Sequence, residues 1–431
     1  MKQKLITIIL TLIAILAPIL IVPEIVNPNY NILKVWFLLI AGFLLLILLL
    51  ASYKTLKIDK KDILLLVFLG LIFISTSISV NVKKSIIGEN NRYEGLLMFI
   101  TYASIYLCAK NYFKYEKIEK FLNIMFYVSI AIGTLGIAQN YINYPSLKPI
   151  FNKEISAICS TFGNANFFGS FISIILPISI SIFIFKGNKK SFILSLVMFF
   201  NMISSGTRSA WVAFGVVAII GAIYLMKNRK KEYFKRLAIL VICFGLIFIY
   251  LLYAPKSNST TLDKLNLMKE DLKRASEEGT TSEMGSQRIA IWKLTLELIK
   301  KKPILGCGVD CLKFGLCQYC PEELGKFILE KGIIVDKAHN EYLQIAATIG
   351  IPALVIYLIF IGMILLPKTK YMLKNKENFI ICVTIISYLV QAFFNISTIG
   401  VAPIFWMILG FADNKFIQEK KTCEENKWNK N

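Results

Sequence analysis

The amino-acid sequence predicts an all-α integral membrane protein that crosses the bilayer about twelve times and carries one large loop on the outer face. Of its 431 residues, 56% are hydrophobic, and the mean hydropathy is +0.62, far more apolar than one soluble core requires. A transmembrane helix needs about 20 mostly apolar residues, and runs of roughly that length recur along the whole chain. We predict spans at 5–22, 35–51, 63–80, 95–109, 121–139, 167–185, 191–205, 209–226, 237–253, 344–366, 378–394 and 399–411.

The distribution of charge predicts the orientation of these spans. The chain has 49 Lys and Arg residues against 27 Asp and Glu, a net charge of +22 that in a soluble protein would suggest nucleic acid as a partner. Here the loops on the side of the N-terminus hold roughly four times as many basic residues as the short loops opposite, an excess that is typical of the cytoplasmic side. We therefore predict a protein of the cytoplasmic membrane with both termini cytoplasmic, and no nucleic acid partner.

One long segment interrupts the apolar runs. It lies between the ninth and tenth spans and is predicted to be extracytoplasmic. The resulting parts are the first nine spans at 1–253, the extracytoplasmic loop at 254–340, the last three spans at 341–411 and a cytoplasmic tail at 412–431.

Within the loop, the segment "SQRIAIWKLTLELIKKKPILG" predicts an amphipathic helix. Ser286 is a suitable N-cap, and Pro303 would end the helix. We expect the helix to lie on the membrane surface with one apolar face. The apolar residues at helical spacing are Ile289, Trp292, Leu296 and Ile299.

Several motifs that would define other functions are missing from the sequence. It contains no G-x-x-x-x-G-K-[ST], no G-x-G-x-x-G and no D-x-D pair for a divalent metal on a nucleotide sugar. The predicted spans also lack Asp and Glu, which ion-coupled transporters usually place there. These observations disfavour nucleotide-driven and ion-coupled functions, and no metal or cofactor is predicted.

Two arginines each begin a predicted helix at the outer face. Arg208 follows Thr207, a plausible N-cap, and Arg288 lies in the first turn of the amphipathic helix. A cation in the first turn opposes the helix dipole by about 0.3–1 kcal/mol unless an anion is also bound there. Both positions are therefore candidate anion sites, and a planar guanidinium suits phosphate. The alternative is that Arg208 extends to lipid headgroups and Arg288 is a solvated loop charge.

His339 is the only histidine of the chain and falls where the loop re-enters the membrane. At a helix N-terminus the dipole disfavours protonation, so the imidazole should be neutral near pH 7 and able to act as a base. The alternative is an interfacial side chain without a role in function.

Four of the nine cysteines cluster in the loop segment "GCGVDCLKFGLCQYC". Outside the membrane this pattern favours one or two disulfides that stabilise the loop, while the C-x-x-C pair could instead help to bind a structural metal. The cluster consists of Cys307, Cys311, Cys317 and Cys320. The other cysteines are interpreted as packing residues, namely Cys108, Cys159, Cys243, Cys382 and Cys423.

Five segments together resemble the O-antigen ligase and polymerase family, membrane glycosyltransferases that use polyprenyl-diphosphate-linked glycans. They occur in the order of the family and extend over most of the chain, whereas the four-cysteine cluster departs from its pattern. The segments are "NRYEGLLM" (91–98), "TFGNANFFGSF" (161–171), "SSGTRSAW" (204–211), "SQRIAIWKLTLELIKKKPILGCG" (286–308) and "AHNEYLQIAATIGIPALVIYL" (338–358).

The resemblance implies a GT-C-like helical fold and an inverting, metal-independent glycosyl transfer without a cofactor. Arg208 and Arg288 would hold the diphosphate of the donor lipid, and His339 would activate the acceptor hydroxyl. The matching segments also contain further candidates for substrate binding. These are Arg92, Glu94, Asn164, Asn166, Asn340 and Glu341.

The expected function is transfer of a lipid-linked glycan to an acceptor in an active site on the outer face. A ligase would use a lipid, a protein or a surface polymer as acceptor, and a polymerase would use another lipid-linked repeat unit. The alternative outside enzymology is a glycolipid flippase or exporter. A flippase would need cations through the membrane depth and no general base, so a transferase is favoured.

Overall fold

A computed structural model of the protein describes residues 2–22, 29–56, 58–141, 158–253 and 287–414, together with Asn266 and Lys269. Within these ranges the regular structure is helical, and no strand occurs. The α-helices are α1 Lys2–Ile19, α2 Ile32–Leu50, α3 Lys60–Ser77, α4 Val82–Ile87, α5 Leu96–Tyr112, α6 Ile118–Tyr141, α7 Ala165–Lys186, α8 Lys189–Ser205, α9 Arg208–Asn228, α10 Lys231–Tyr253, α11 Arg288–Lys301, α12 Leu312–Tyr319, α13 Pro321–Lys331, α14 Glu341–Thr348, α15 Ile351–Met372, α16 Lys376–Ala392 and α17 Ala402–Ala412.

The helices confirm the prediction of an all-helical protein with several membrane spans. Each predicted apolar run overlaps at least one helix, and among the described residues seven helices are long and apolar enough to cross a membrane. Some of the others are shorter; α5, for example, has 17 residues and a length of about 25 Å. The seven long helices are α1, α2, α6, α7, α9, α10 and α15.

The predicted span 344–366 is divided into two helices, and this corrects the sequence assignment. The helix α14 ends at Thr348, and α15 begins at Ile351 after Gly350, which has φ of 109°. A Cβ atom at Gly350 would lie 1.9 Å from the carbonyl oxygen of Ile304. Hydropathy could not reveal this break because both sides of it are apolar.

The loop backbone is joined to the helices at that break. The amide of Ile351 donates to the carbonyl of Pro303 at 2.8 Å, and the amide of Gly308 donates to that of Thr348 at 2.9 Å. These bonds satisfy backbone groups that the divided helix leaves open. They also fix the residues around 303–308 against the membrane part of the protein.

The amphipathic helix forms as α11, and the structure shows which part of the protein covers one of its faces. Leu296, which we predicted on the apolar face, is 44% exposed, whereas Leu294 and Leu298 are buried. They pack in a separate core with side chains of α12, α13 and α14. The predicted cap Ser286 lies outside the described residues, and Gln287 at the N-cap position makes no side-chain capping bond.

A group of buried charges lies at the end of α5 that is far from the loop. We call Lys110, Asp59, Asp62 and Asp413 the inner cluster. The Lys110 ammonium lies 2.7 Å from Asp62 and 2.9 Å from each of Asp59 and Asp413. The three carboxylates could hold a metal by their spacing alone, but the ammonium of Lys110 occupies the central position, and Lys61 supplies a second positive charge beside Asp59 and Asp413. The cluster thus joins the start of α3, the end of α5 and the end of α17.

Candidate functional site

A cavity of about 390 Å³ lies between the loop and the membrane helices, and we call it the outer cavity. Its wall contains all three residues for which the sequence predicted a chemical role, namely Arg208, Arg288 and His339. The predicted substrate-binding residue Asn166 also lies in the wall. The complete lining is Asn166, Gly206, Arg208, Arg288, Ile291, Ile333, Ile334, Val335, Asp336, Lys337 and His339.

Arg208 reaches the outer cavity from a tight turn between α8 and α9. Gly206 ends α8 with φ of 65°, a conformation that favours glycine. Thr207 occupies the N-cap position of α9, but its hydroxyl donates to the carbonyl of Ala165 at 2.9 Å and makes no capping bond. Thr207 thus occupies the predicted N-cap position, but its side chain does not form the expected capping hydrogen bond. The threonine instead fixes the turn to the start of α7.

Arg288 enters the cavity from the first turn of α11. Burial lowers the pKa of Arg288, and the nearby charge of Arg208 lowers it further, although a guanidinium stays protonated in proteins. Asp336 is the only carboxylate in the lining of the cavity as the described residues define it. That carboxylate accepts from Arg92 at 2.7 Å and 3.1 Å. Among the described lining residues the cations therefore outnumber the carboxylates.

His339 has the left-handed conformation, with φ of 49°, which is uncommon for a residue with a side chain. The next residue, Asn340, holds the start of α14, because its Oδ1 accepts from the amides of Tyr342 and Leu343 at 3.0 Å each. The amide of Ala338 donates to Gln344 at 2.9 Å. The histidine is thus fixed by bonds on both sides of it.

Burial lowers the pKa of His339 to about 4. The positive charges of Arg288, Arg92 and Lys337 act in the same direction, while Asp336 opposes them. The imidazole is neutral at pH 7, as the sequence predicted. The cause differs from the predicted helix dipole, because burial and neighbouring cations are responsible.

An ion pair that the sequence did not predict supports the histidine segment. Lys337, which is 3% exposed, pairs with Asp310. The other carboxylate oxygen of Asp310 accepts from the amides of Glu89 and Glu94 at 2.7 Å and 3.3 Å. One carboxylate therefore holds together the segment before α5, the cysteine segment and the segment that carries His339.

The other predicted binding residues lie at different distances from the outer cavity. Arg92 is joined to it through Asp336 and lies over the ring of Phe167, 5.3 Å from the centroid. Asn164 caps α7 by accepting from the amide of Asn166 at 2.8 Å, and Asn340 caps α14. The structure thus gives Asn164 and Asn340 capping bonds in place of a position in the cavity wall.

Glu94 and Glu341 line a second, smaller cavity of about 40 Å³. Glu341 accepts from Tyr357 at 2.7 Å and from Tyr388 at 3.1 Å. Glu94 accepts from Tyr102. Lys337 lines both cavities and separates the two carboxylates from the outer cavity.

The four loop cysteines are free thiols in the structure, so the expected disulfides are not formed. No three of these four described thiols lie within 4.8 Å of one another, as ligands of one metal would. Cys307, Cys311 and Cys320 are buried in the loop core, and Cys317 is exposed. The thiol of Cys311 donates to the carbonyl of Asn81 at 3.5 Å, which supports the structural interpretation of the cluster.

Residues 193–358 match the O-antigen ligase family, and Arg208, Arg288 and His339 all fall within the match. The chain is also similar to the ComP-specific O-oligosaccharyltransferase of Acinetobacter baylyi, with 26% identity over 213 residues. That similarity covers 46% of this chain and 33% of the relative. The chain thus spans about a third of the length of the curated relative that it matches.

Proposed function

We propose that the protein, whose residues 193–358 match the O-antigen ligase family, transfers a glycan from a polyprenyl-diphosphate carrier to an acceptor hydroxyl. The transfer takes place in the outer cavity, on the extracytoplasmic face of the cytoplasmic membrane. The observation that carries this proposal is the meeting of Arg208, Arg288 and His339 in one cavity.

The two arginines bind the donor diphosphate. Their guanidinium groups can each donate two parallel hydrogen bonds to phosphate oxygens, which a lysine cannot do. The phosphate gains negative charge as the glycosidic bond breaks, so these contacts tighten in the transition state. The positive charge of the two arginines can thus stabilise the departing diphosphate as a divalent metal would. The proposed reaction is therefore metal-independent.

His339 takes the proton of the acceptor. The acceptor oxygen attacks the anomeric carbon and the bond from this carbon to the diphosphate oxygen breaks with its electron pair. The proton of the hydroxyl moves to the neutral imidazole. One such displacement inverts the configuration at the anomeric carbon.

Donor binding also prepares the base. A pKa of about 4 makes His339 a weak base in the free protein. The diphosphate would offset the positive charges that lower this pKa, which raises it toward neutrality. The histidine therefore becomes an effective base only after the donor is bound.

The extracytoplasmic location rests on the distribution of basic residues. With both termini cytoplasmic and twelve spans, the loop at 254–340 and the starts of α7, α9 and α14 all face outward. The cavity lies between these elements, so a lipid in the outer leaflet could enter it from the side while its sugars project away from the membrane. The same cavity would serve a ligase or a polymerase, which differ in the acceptor.

The test of this proposal separates donor binding from transfer. Binding of a polyprenyl-diphosphate glycan to purified variants is measured, together with transfer to an added acceptor. His339→Ala should bind the donor almost normally but transfer it about 100- to 10,000-fold more slowly. Because the histidine of the free protein is protonated only near pH 4, wild-type transfer at low donor concentration should show no loss from this group between about pH 8 and pH 5.

Arg208→Lys should lose both donor affinity and rate, since it keeps the charge but loses the paired hydrogen bonds. Arg229→Lys is the matched control, because Arg229 is an exposed arginine at the opposite end of the same helix. Transfer by His339→Ala at the wild-type rate would show that His339 is not the general base, whereas donor binding without any transfer by the wild type would favour a carrier. An acceptor that is itself lipid-linked would identify a polymerase.

A further inference from the structure

A third cavity lies beside the outer cavity, and its wall is cationic. The ion pair between Arg92 and Asp336 lies between these two cavities. The volume of the third cavity is about 10 Å³, enough for about one water-sized particle. The lining contains two cations, Lys34 and Arg92, and none of the described lining residues is acidic. The lining is Asn31, Lys34, Asn91, Arg92, Phe162, Phe167, Ser397, Thr398, Ile399 and Gly400.

Lys34 is the residue that the proposed transfer does not explain. Its side chain is 1% exposed, and its ammonium lies 5.6 Å from the centroid of the Phe162 ring. Among the described residues it has no hydrogen bond and no ion pair. A buried ammonium without a balancing charge costs several kcal/mol, and Lys34 also lies in the first turn of α2, where the helix dipole adds positive potential.

A second polar group in the same cavity has an open hydrogen bond. Thr398 is 7% exposed, and its Oγ1 has no partner. Its carbonyl is already engaged, because it accepts from the amides of Val401 and Ala402 at 2.9 Å and 2.8 Å. The hydroxyl hydrogen can therefore be donated into the cavity.

We propose that this cavity binds a monatomic anion of the halide class, with chloride as the physiological ligand. The ammonium of Lys34 and the hydroxyl of Thr398 donate to the ion. Arg92 adds positive charge from the wall while it keeps its bond to Asp336. The small volume excludes a whole phosphate or sugar carboxylate, whereas a halide satisfies both the charge and the open donor.

The test measures the thermal stability of the purified full-length protein in detergent at one ionic strength, in chloride, bromide or gluconate. Chloride and bromide should raise the midpoint of unfolding of the wild type by about 2–4 °C over gluconate, because a ligand that binds only the folded state stabilises it. Lys34→Met should lose this difference. Lys83→Met, at an exposed lysine of the neighbouring helix α4, should keep it.

Thr398→Val provides a variant of nearly the same shape if Lys34→Met does not fold. It removes only the donor and should reduce the halide shift by at least half. No halide shift in the wild type would overturn the proposal, since it would mean that the cavity binds no halide. A shift of equal size in the wild type, Lys34→Met and Thr398→Val would overturn it as well, because the halide would then act elsewhere.

Discussion

The inner cluster and the outer cavity use similar charged residues near opposite ends of α5, yet they differ in where the balancing charge comes from. In the inner cluster, three carboxylates of the protein surround Lys110 at 2.7–2.9 Å. The described lining of the outer cavity contains one carboxylate, Asp336, and three cations, Arg208, Arg288 and Lys337. Arg92 donates a hydrogen bond to the carboxylate of Asp336. In the first set each charge lies beside an opposite charge of the protein, whereas among the described lining residues of the second the cations outnumber the carboxylates.

This difference separates a structural from a functional arrangement of buried charge. A further ligand stabilises a buried cation only a little when carboxylates already surround it. Removal of that cation leaves the carboxylates without their partner and destabilises the folded protein. A cation excess beside a cavity of about 390 Å³ leaves both space and potential for a negatively charged substrate. The sign of the charge in excess distinguishes the two ends better than the number of charged residues does.

Replacement of the central cation of the inner cluster should have the largest effect on stability. Lys110→Met removes the shared partner of the buried carboxylates of Asp62 and Asp413 and the partly buried carboxylate of Asp59, and removal of one partner from a buried pair costs about 3–5 kcal/mol. We expect poor accumulation in membranes and a strongly lowered unfolding temperature in detergent. The matched control is Lys120→Met, at an exposed lysine near the same end of the bundle. Equal stability of the two variants would contradict the structural role.

Adding a carboxylate to the outer cavity should make it resemble the inner cluster. Ile334 lines the cavity and is 64% exposed, so Ile334→Glu can be made without disturbing a core. The new carboxylate would compete with the diphosphate for the arginines and weaken donor binding about tenfold, which corresponds to roughly 1.4 kcal/mol. Ile334→Gln controls for size and polarity. Donor affinities that do not differ between Glu and Gln would show that charge balance does not govern the cavity.

The smallest expected effect concerns the residue beside the base. Asn340→Ala removes the cap of α14 and should cost about 1 kcal/mol of stability, with donor affinity almost unchanged. Asn340→Ser can still cap the helix and should restore most of this loss. The unfolding temperature and donor binding are measured together. A large loss of donor binding at normal stability would instead support the substrate contact that the sequence suggested for Asn340.

The sequence predicted the helices and the three main residues of the outer cavity because both leave local patterns. Apolar runs fix where the helices lie, and Arg208, Arg288 and His339 each occur in a short motif at a helix start. The contact between Arg92 and Asp336 joins residues 244 positions apart, and no local pattern reports such a pair. The packing of Leu294 and Leu298 of α11 was not predictable for a similar reason, since the loop core that covers them is formed by later residues.

The same separation along the chain has a consequence for synthesis. At about 5–20 residues per second, Asp336 leaves the ribosome roughly 12–50 s after Arg92. During this interval the early helices enter the membrane with an arginine whose partner does not yet exist. A nascent chain that stops before the loop is complete therefore lacks the carboxylate that Arg92 contacts in the finished protein.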